Sequence, residues 1–535
     1  MRRSAIRCLE LTLAVAFGFS ALVAEETERR PNVVVILADD LGWSDVGCYG
    51  GEIPTPSIDR LADEGLRFRS FYSCGLCGPT RAALMTGLWN QQTGVRRWTG
   101  TLHERVITLP EVLKASGYRT MMVGRMDMTT SGKWHDPAVA AGAFDAFFGS
   151  NGHKGPGHYS RAVKHSQLFL DGEPYDLPKA GFFRTDVLTD YAVRFVEDAI
   201  QAAKPFFLYA AYSAPHWPLQ AREADIGPHR DRYRKLGWDA CRERRRRRAT
   251  ELGLLDSHAA LPPRDPRVEA WDEAAHKKWE AERMAVYAAQ VAVLDRGIGR
   301  IVKAIDDAGI AKNTLILFLS DNGASDQGGP LGWFADESWR LDGQPVRFGN
   351  DPSIFPGPDD TFASYGPEWA QVSNAPFRGY KGSLTVYEGG IVVPFIARWP
   401  GVIRGGGVTR AVGHVIDVVA TALDVAGIEH PPSFRGREVL ALEGKSLLPV
   451  FRGQERGGHG ALFWEQSGHR AVREGDWKLV RFRDRPPELY DLSRDPTELE
   501  NLAAREPGRV RRLEARLERW LSRCEADAGK ARAGR

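Results

Sequence analysis

The hydrophobic positions of this chain fall into short continuous apolar runs separated by stretches of helical spacing. The first run, Val33 to Leu37, is β-branched and is followed at once by Asp39, Asp40 and Gly42. A strand buried on both faces and ending in a polar loop has this pattern. Similar runs stand at Arg119 to Val123, Pro205 to Ala210, Thr314 to Leu319 and Ile391 to Ala397. Between several of them apolar residues recur at helical intervals; in PSIDRLADEGLRF, Ile58, Leu61, Leu66 and Phe68 form one apolar face. The alternation predicts an α/β fold, a large mixed and mostly parallel sheet sandwiched by helices. In such sheets ligands bind at the carboxyl ends of the strands.

From about Ala461 the pattern changes. ALFWE, RAVREGDWKLVRF and ELYDLSRDP read as short strands with turn residues, and helical spacing runs from Pro507 to Leu521. A smaller C-terminal α+β subdomain, an antiparallel sheet plus a helix, is therefore expected over residues 456–535, behind a main domain at 30–455. The segment from Asp326 to Ser373, rich in Gly, Pro, Asp and Trp, is long for an ordinary connection. Its Trp333, Trp339 and Trp369 suit either an aromatic cleft wall or ordinary packing. The run RERRRRRATELG from Arg242 carries Glu243 and Glu251 and no interleaved aromatic residues, which reads as a solvated helix face rather than a polyanion site.

Composition narrows the functional classes. At 535 residues and 43% hydrophobic the chain can bury a large core. Its 72 basic and 69 acidic residues leave a net charge of +3, so no global charge points to nucleic acid or a membrane surface. Arg2, Arg3 and Arg7, an apolar stretch from Leu11 to Ala24, then Glu25 and Glu26, read as a signal peptide over residues 1–24. Export to the periplasm or the medium is expected. Six cysteines, at 8, 48, 74, 77, 241 and 524, are too few for a disulfide scaffold.

Local chemistry concentrates in Cys77-Gly78-Pro79-Thr80-Arg81-Ala82-Ala83-Leu84-Met85-Thr86-Gly87. Pro79 suits a first helical turn and Gly87 an exit, so Cys77 falls at a helix N-terminus, where backbone N–H groups attract an anion. Arg81 opposes the helix dipole there, which fits a residue kept to bind an anionic group. Cys74 and Cys77 form a CxxC, a weak signal for a redox pair, and no second pair completes a zinc site. Asp39-Asp40 and Asp321-Asn322 each follow an apolar strand. Singly, each pair suits a cap or a solvated turn. If their strands are parallel neighbours, four oxygen-bearing side chains share one rim, a set suited to Ca²⁺ or Mg²⁺.

The pattern C-x-P-[ST]-R-x4-T-G resembles the signature of the formylglycine-dependent sulfatases of the alkaline phosphatase superfamily, in which the cysteine is oxidised to Cα-formylglycine. Thr80 stands where serine is more common. The resemblance runs from PNVVVILADDLG at Pro31 to ELYDLSRDP at Glu488 and is closest to the bacterial arylsulfatase-like branch. It implies hydrolysis of a sulfate ester, small-molecule or glycan, by a formylglycine gem-diol beside a divalent cation, with release of inorganic sulfate. It implies a formylglycine-generating enzyme as maturation partner, and a metal, usually calcium, held by Asp39, Asp40, Asp321, Asn322 and the modified Cys77. Lys381 and Arg81 would neutralise sulfate, and His216 would protonate the leaving group. The family's GKWH motif is split here: Lys133 and His135 keep the intact Gly-Lys-Trp-His, while Arg125 and Asp127 occupy the register eight residues earlier. Lys133 and His135 are the expected sulfate and formylglycine contacts. Two other readings stand beside this one: a phosphonate or phosphodiester monoesterase of the same superfamily, and a catalytically degenerate glycan-binding homologue.

Overall fold

The apolar runs become strands because each is long enough to span a sheet and too short and β-branched for a buried helix. In the computed structural model, which describes residues 30–98, 100–129, 142–150, 158–159, 168–178, 181–327, 344–382 and 386–530, the principal strands are β1 (Asn32–Ala38), β2 (Leu66–Tyr72), β3 (Arg119–Arg125), β4 (Ala146–Ser150), β5 (Phe206–Ala211), β6 (Thr314–Ser320), β7 (Phe395–Arg398) and β8 (Gly407–His414). The expected signal peptide, Lys133, His135, Trp333 and Trp339 lie outside the described residues.

Strands β4, β3, β5, β1 and β6 lie side by side, all parallel. Next comes β7, antiparallel to both β6 and β2, and β8 pairs parallel with β2. The mixed, mostly parallel sheet is thus as the alternation predicts. Every residue of β1 and β6 is buried, which explains why neither alternates polar with apolar. The helices form two packed sets. One joins α1 (Pro56–Asp63), α3 (Arg184–Gln201), α4 (Glu223–Glu251) and α5 (Lys277–Asp307); the other gathers around α2 (Cys77–Thr86). Among the described residues no helix is long and apolar enough to cross a membrane.

Three readings of the pattern need correction. The helical face drawn through Ile58, Leu61, Leu66 and Phe68 is cut at Asp63, and Leu66 opens β2. Gly65 sits so close to the β7 backbone that a Cβ there would lie 2.3 Å from the Ala397 carbonyl oxygen, a contact no local pattern announces. The run Ile391 to Ala397 breaks at Pro394 into two short strands, Val392–Val393 and Phe395–Arg398. Finally, the arginine run of α4 is not a uniformly solvated face: Arg245 is 0% exposed and bridges Asp45 (2.6 Å) and Glu52 (2.7 Å), while Arg242 is also buried.

At the C-terminal end β9 (Leu462–Gln466), β10 (His469–Glu474), β11 (Trp477–Arg481) and β12 (Glu488–Asp491) form a separate antiparallel sheet, followed by α6 (Pro507–Lys530). Its buried Lys478 reaches Glu388 at 2.6 Å and Glu498 at 2.8 Å, tying the unit to the segment that carries Lys381.

Candidate active site

Because β1 and β6 pair in parallel with Ala38 opposite Ser320, the residues following them emerge at one edge: Asp39 and Asp40 from β1, Asp321 and Asn322 from β6. The loop after β5 brings His216 to the same edge, and the end of β3 brings Arg125 and Asp127. Asp40 and Asp127 adopt φ values of 65° and 55°, a left-handed turn that aspartate tolerates better than most residues. Helix α2 starts at Cys77, with Leu76 as its cap. Ligand atoms of Asp39, Cys77 and Asp321 lie within 4.8 Å of one another, as do those of Asp39, Asp40 and His216.

Arg81 is wholly buried, and each of its nitrogens is engaged. Its Nη2 donates to Asp39 Oδ2 (3.1 Å) and Asp321 Oδ2 (2.8 Å), its Nε to Asp321 Oδ2 (3.2 Å), and its Nη1 to the Arg125 carbonyl (2.7 Å). It clamps the carboxylates rather than presenting a bare fork to an anion. Arg125 donates Nη1 to Asp39 Oδ2 (2.6 Å) and Nη2 to Asp127 Oδ2 (2.7 Å). Lys381 donates its ammonium to Asp40 Oδ1 at 2.5 Å, and Asn322 Nδ2 donates to the same oxygen at 2.7 Å.

Three buried oxygens at this point accept no hydrogen bond: Asp39 Oδ1, Asp40 Oδ2 and Asn322 Oδ1. Leaving such a group unmatched costs about 1–3 kcal/mol, more when it is charged. All three belong to the residues expected to hold a metal, and an all-oxygen set is the donor chemistry of a hard cation. The residues therefore fit a divalent cation.

The electrostatics follow from dense burial. Burial would raise the Asp39 carboxyl, but Arg125, His216 and Arg81 outweigh it and hold the group well below the usual range. Asp321 goes the other way: burial, and then the neighbouring Asp39 charge, push it up. Burial pushes the Cys77 thiol up to about 12; Lys381 opposes this, while Asp321 and Asp39 add to it. Near neutral pH the residue is a thiol, not a nucleophilic thiolate. Among the described cysteines none is paired. The Nδ1 of His216 lies 2.7 Å from the Trp217 carbonyl, which can only accept, so Nε2, 3.4 Å from Asp40 Oδ2, is the nitrogen that exchanges a proton with the site. Burial lowers the pKa of this histidine.

The edge thus brings together Cys77, Arg81, Asp39, Asp40, Asp321, Asn322, His216 and Lys381. Of the two split-motif registers, Arg125 and Asp127 stand in the site. Their signal in the sequence was position, since Arg125 ends a strand and Asp127 follows two residues later, just as Asp39 and Asp321 follow their strands. Two further contributors carried no readable signal. Arg184, at the start of α3, is buried near Arg125 and Asp39, its pKa lowered to about 9 by burial and then by Arg125. Asp45 accepts from the Gly42 N–H (2.8 Å) and the Tyr287 hydroxyl (2.7 Å), bracing the loop that carries Asp39 and Asp40. Of the two uses open to Trp369, ordinary packing holds: it is core, 0% exposed between Trp238, Trp271 and Tyr233.

Comparison with known proteins gives a consistent answer. A sulfatase family model matches residues 31–428, and one for the C-terminal region of N-sulphoglucosamine sulphohydrolase matches residues 379–527. The chain is 34% identical to an uncharacterised sulfatase of Schizosaccharomyces pombe, over 94% of each chain. It is 32% identical to an arylsulfatase of Klebsiella aerogenes, over 79% of this chain and 92% of that one. A solved structure, Ps i-CgsB in complex with k-i-k-neocarrahexaose, shares the fold with a TM-score of 0.65 at 24% identity, over 92% of this chain and 93% of that one. With a family model covering most of its length and relatives of this similarity, the chain belongs to the sulfatase family, enzymes that hydrolyse sulfate esters.

Proposed function

We propose that this enzyme cleaves sulfate monoesters of aryl or sugar alcohols, with Cys77 oxidised to formylglycine and a divalent cation, Ca²⁺ before Mg²⁺, held by Asp39, Asp40, Asp321, Asn322 and the modified Cys77. The observation that carries the reading is a charge balance. In direct ion pairs around the three unpartnered oxygens, the cations Arg81, Arg125 and Lys381 face the carboxylates Asp39, Asp40, Asp127 and Asp321. With Arg184 close by, the set is near neutral before a metal binds, and a divalent cation gives it the net positive charge that suits an anionic ester. Bound there, the cation would neutralise charge on the ester oxygens. The oxidised Cys77 would supply a hydrated aldehyde as nucleophile, which a thiol with so high a pKa is not.

This chain's own residues divide the remaining work. Lys381 and Arg125 draw the sulfate oxygens toward the α2 N-terminus, Arg125 serving in the role that the motif gives to Lys133. Arg81 keeps Asp39 and Asp321 apart and fixed. His216, its Nδ1–H held by the Trp217 carbonyl, acts as an imidazolium, a form the Asp40 carboxylate beside it favours, and gives the Nε2 proton to the departing oxygen. A formylglycine-generating enzyme matures Cys77, and the N-terminal signal directs export. The arylsulfatase relative supports an aryl ester, and the neocarrahexaose complex of the structural neighbour supports a glycan.

The test is turnover of nitrophenyl sulfate against a phenyl phosphonate monoester, with peptide mass spectrometry across Cys77. The aldehyde mass and a preference for the sulfate of at least about tenfold are expected, and Cys77→Ala should abolish turnover while the melting temperature holds. Activity persisting in Cys77→Ala overturns the nucleophile, and a preference for the phosphonate overturns the substrate. Arg125→Ala should lower kcat/KM about 100-fold; the same loss in Lys133→Ala, with Arg125→Ala unaffected, would move the sulfate contact to the later register.

A further inference from the structure

Two tryptophans stand outside the two groups that face Asp40. Lys381, whose ammonium touches Asp40 Oδ1, lies 5.6 Å from the centroid of the Trp98 ring. His216, whose Nε2 faces Asp40 Oδ2, lies 4.7 Å from the Trp217 ring, centroid to centroid. Lys381 is completely buried, whereas His216 and both indoles are only partly buried. They therefore occupy the rim between the reacting groups and solvent. Both are held in place. The Trp98 backbone abuts the residue after the nucleophile, so closely that a Cβ on Gly78 would lie 2.3 Å from the Trp98 carbonyl oxygen. The Trp217 N–H donates to Gln327 Oε1 at 2.9 Å, and its ring meets Phe362 edge-on at 5.7 Å.

An indole held in place and partly exposed offers a flat apolar surface to whatever the sulfate is attached to, and the Trp98 face also covers the Lys381 ammonium. With the sulfate drawn toward Cys77 and Lys381, its ester oxygen and the group beyond it must leave past this rim. We propose that Trp98 and Trp217 form the leaving-group subsite and select esters whose alcohol carries a ring, either an aryl ring or the apolar face of a pyranose. This rests on the sulfatase reading above and adds to it the residues that choose the substrate.

The experiment compares a ring-bearing ligand with a ringless one and does not depend on turnover. On Cys77→Ser protein with calcium present, binding of nitrophenyl sulfate, a hexosamine 6-sulfate and ethyl sulfate is measured by titration calorimetry, for the otherwise unchanged chain and with Trp98→Ala, Trp98→Phe or Trp217→Ala added. The two ring ligands should bind at least about tenfold more tightly than ethyl sulfate, Trp98→Ala should remove about tenfold of that, and Trp98→Phe should restore most of it. Ethyl sulfate should change less than about twofold, which a collapse of the site would not allow. Loss confined to nitrophenyl sulfate identifies the ring as aryl, and loss confined to the hexosamine ester identifies it as a sugar. Equal losses for ethyl sulfate and ring ligands, or no loss for either ring ligand, overturn the subsite. Failure of all three esters to bind the parent protein overturns the sulfatase reading itself.

Discussion

Arg81 and Arg245 are both wholly buried and both bridge carboxylates, yet their surroundings are built to different ends. Around Arg245 every carboxylate oxygen is matched. Asp45 accepts from Arg245, Gly42 and Tyr287, and Glu52 accepts from Arg245 twice and from Tyr233. Around Arg81 the cations are as close, but Asp39, Asp40 and Asn322 each keep an unmatched oxygen. A closed cluster of buried charge recovers its desolvation cost from within, whereas an open one needs a ligand to do so. The difference separates a brace from a binding site where burial and residue type do not.

Breaking the closed cluster should have the larger effect on stability. Arg245→Met strands Asp45 and Glu52 in the core and should cost about 3–5 kcal/mol in chemical denaturation; a loss under about 1 kcal/mol would mean the cluster is not closed. The open cluster should respond to metal instead. Calcium at about 100 times its dissociation constant should stabilise the protein by about 2.7 kcal/mol. Asp40→Asn should remove most of that gain, while Arg245→Lys should keep it, as read from melting temperatures with calcium or chelator.

The two clusters should also differ in the sign of their pH dependence. Burial opposes Glu52 ionisation, but Arg245 outweighs it and holds the group near about 2, below its ordinary 4.5. The folded state then binds fewer protons than the unfolded state between these values, so this contribution is present above pH 4.5 and lost as pH falls toward 2. Asp321 is raised above its ordinary 3.8 by burial and Asp39, so its contribution weakens as pH rises from there in chelator. Calcium should therefore raise the melting temperature more at pH 7.5 than at pH 5. A calcium shift that is larger at the lower pH would remove Asp321 from the metal site. The smallest effect expected is that of Glu243→Gln on α4, whose pairing with Arg246 is largely exposed; thermal unfolding should change by less than about 0.5 kcal/mol.

Much of this was legible in the chain. Short apolar runs followed by acids foretold both the parallel strands and the rim on which Asp39, Asp40, Asp321 and Asn322 meet, because strand length and burial are local properties. The split motif leaves two registers, of which Arg125 and Asp127 stand in the site while Lys133 and His135 lie outside the described residues. The arginine run misled. Composition describes a helix as a whole, whereas Arg245 is buried because of the direction in which that one turn faces.

By itself the sequence determined the strand runs, the Cys77 helix start and the chemical type of each site residue, since all of these depend on neighbours along the chain. The tertiary structure decided which oxygens stay unmatched, that Arg81 clamps carboxylates, that Arg125 and Asp127 join the site and that Trp98 stands beside Lys381. Those facts depend on distances between residues up to hundreds of positions apart, set only when the parallel strands align their carboxyl ends.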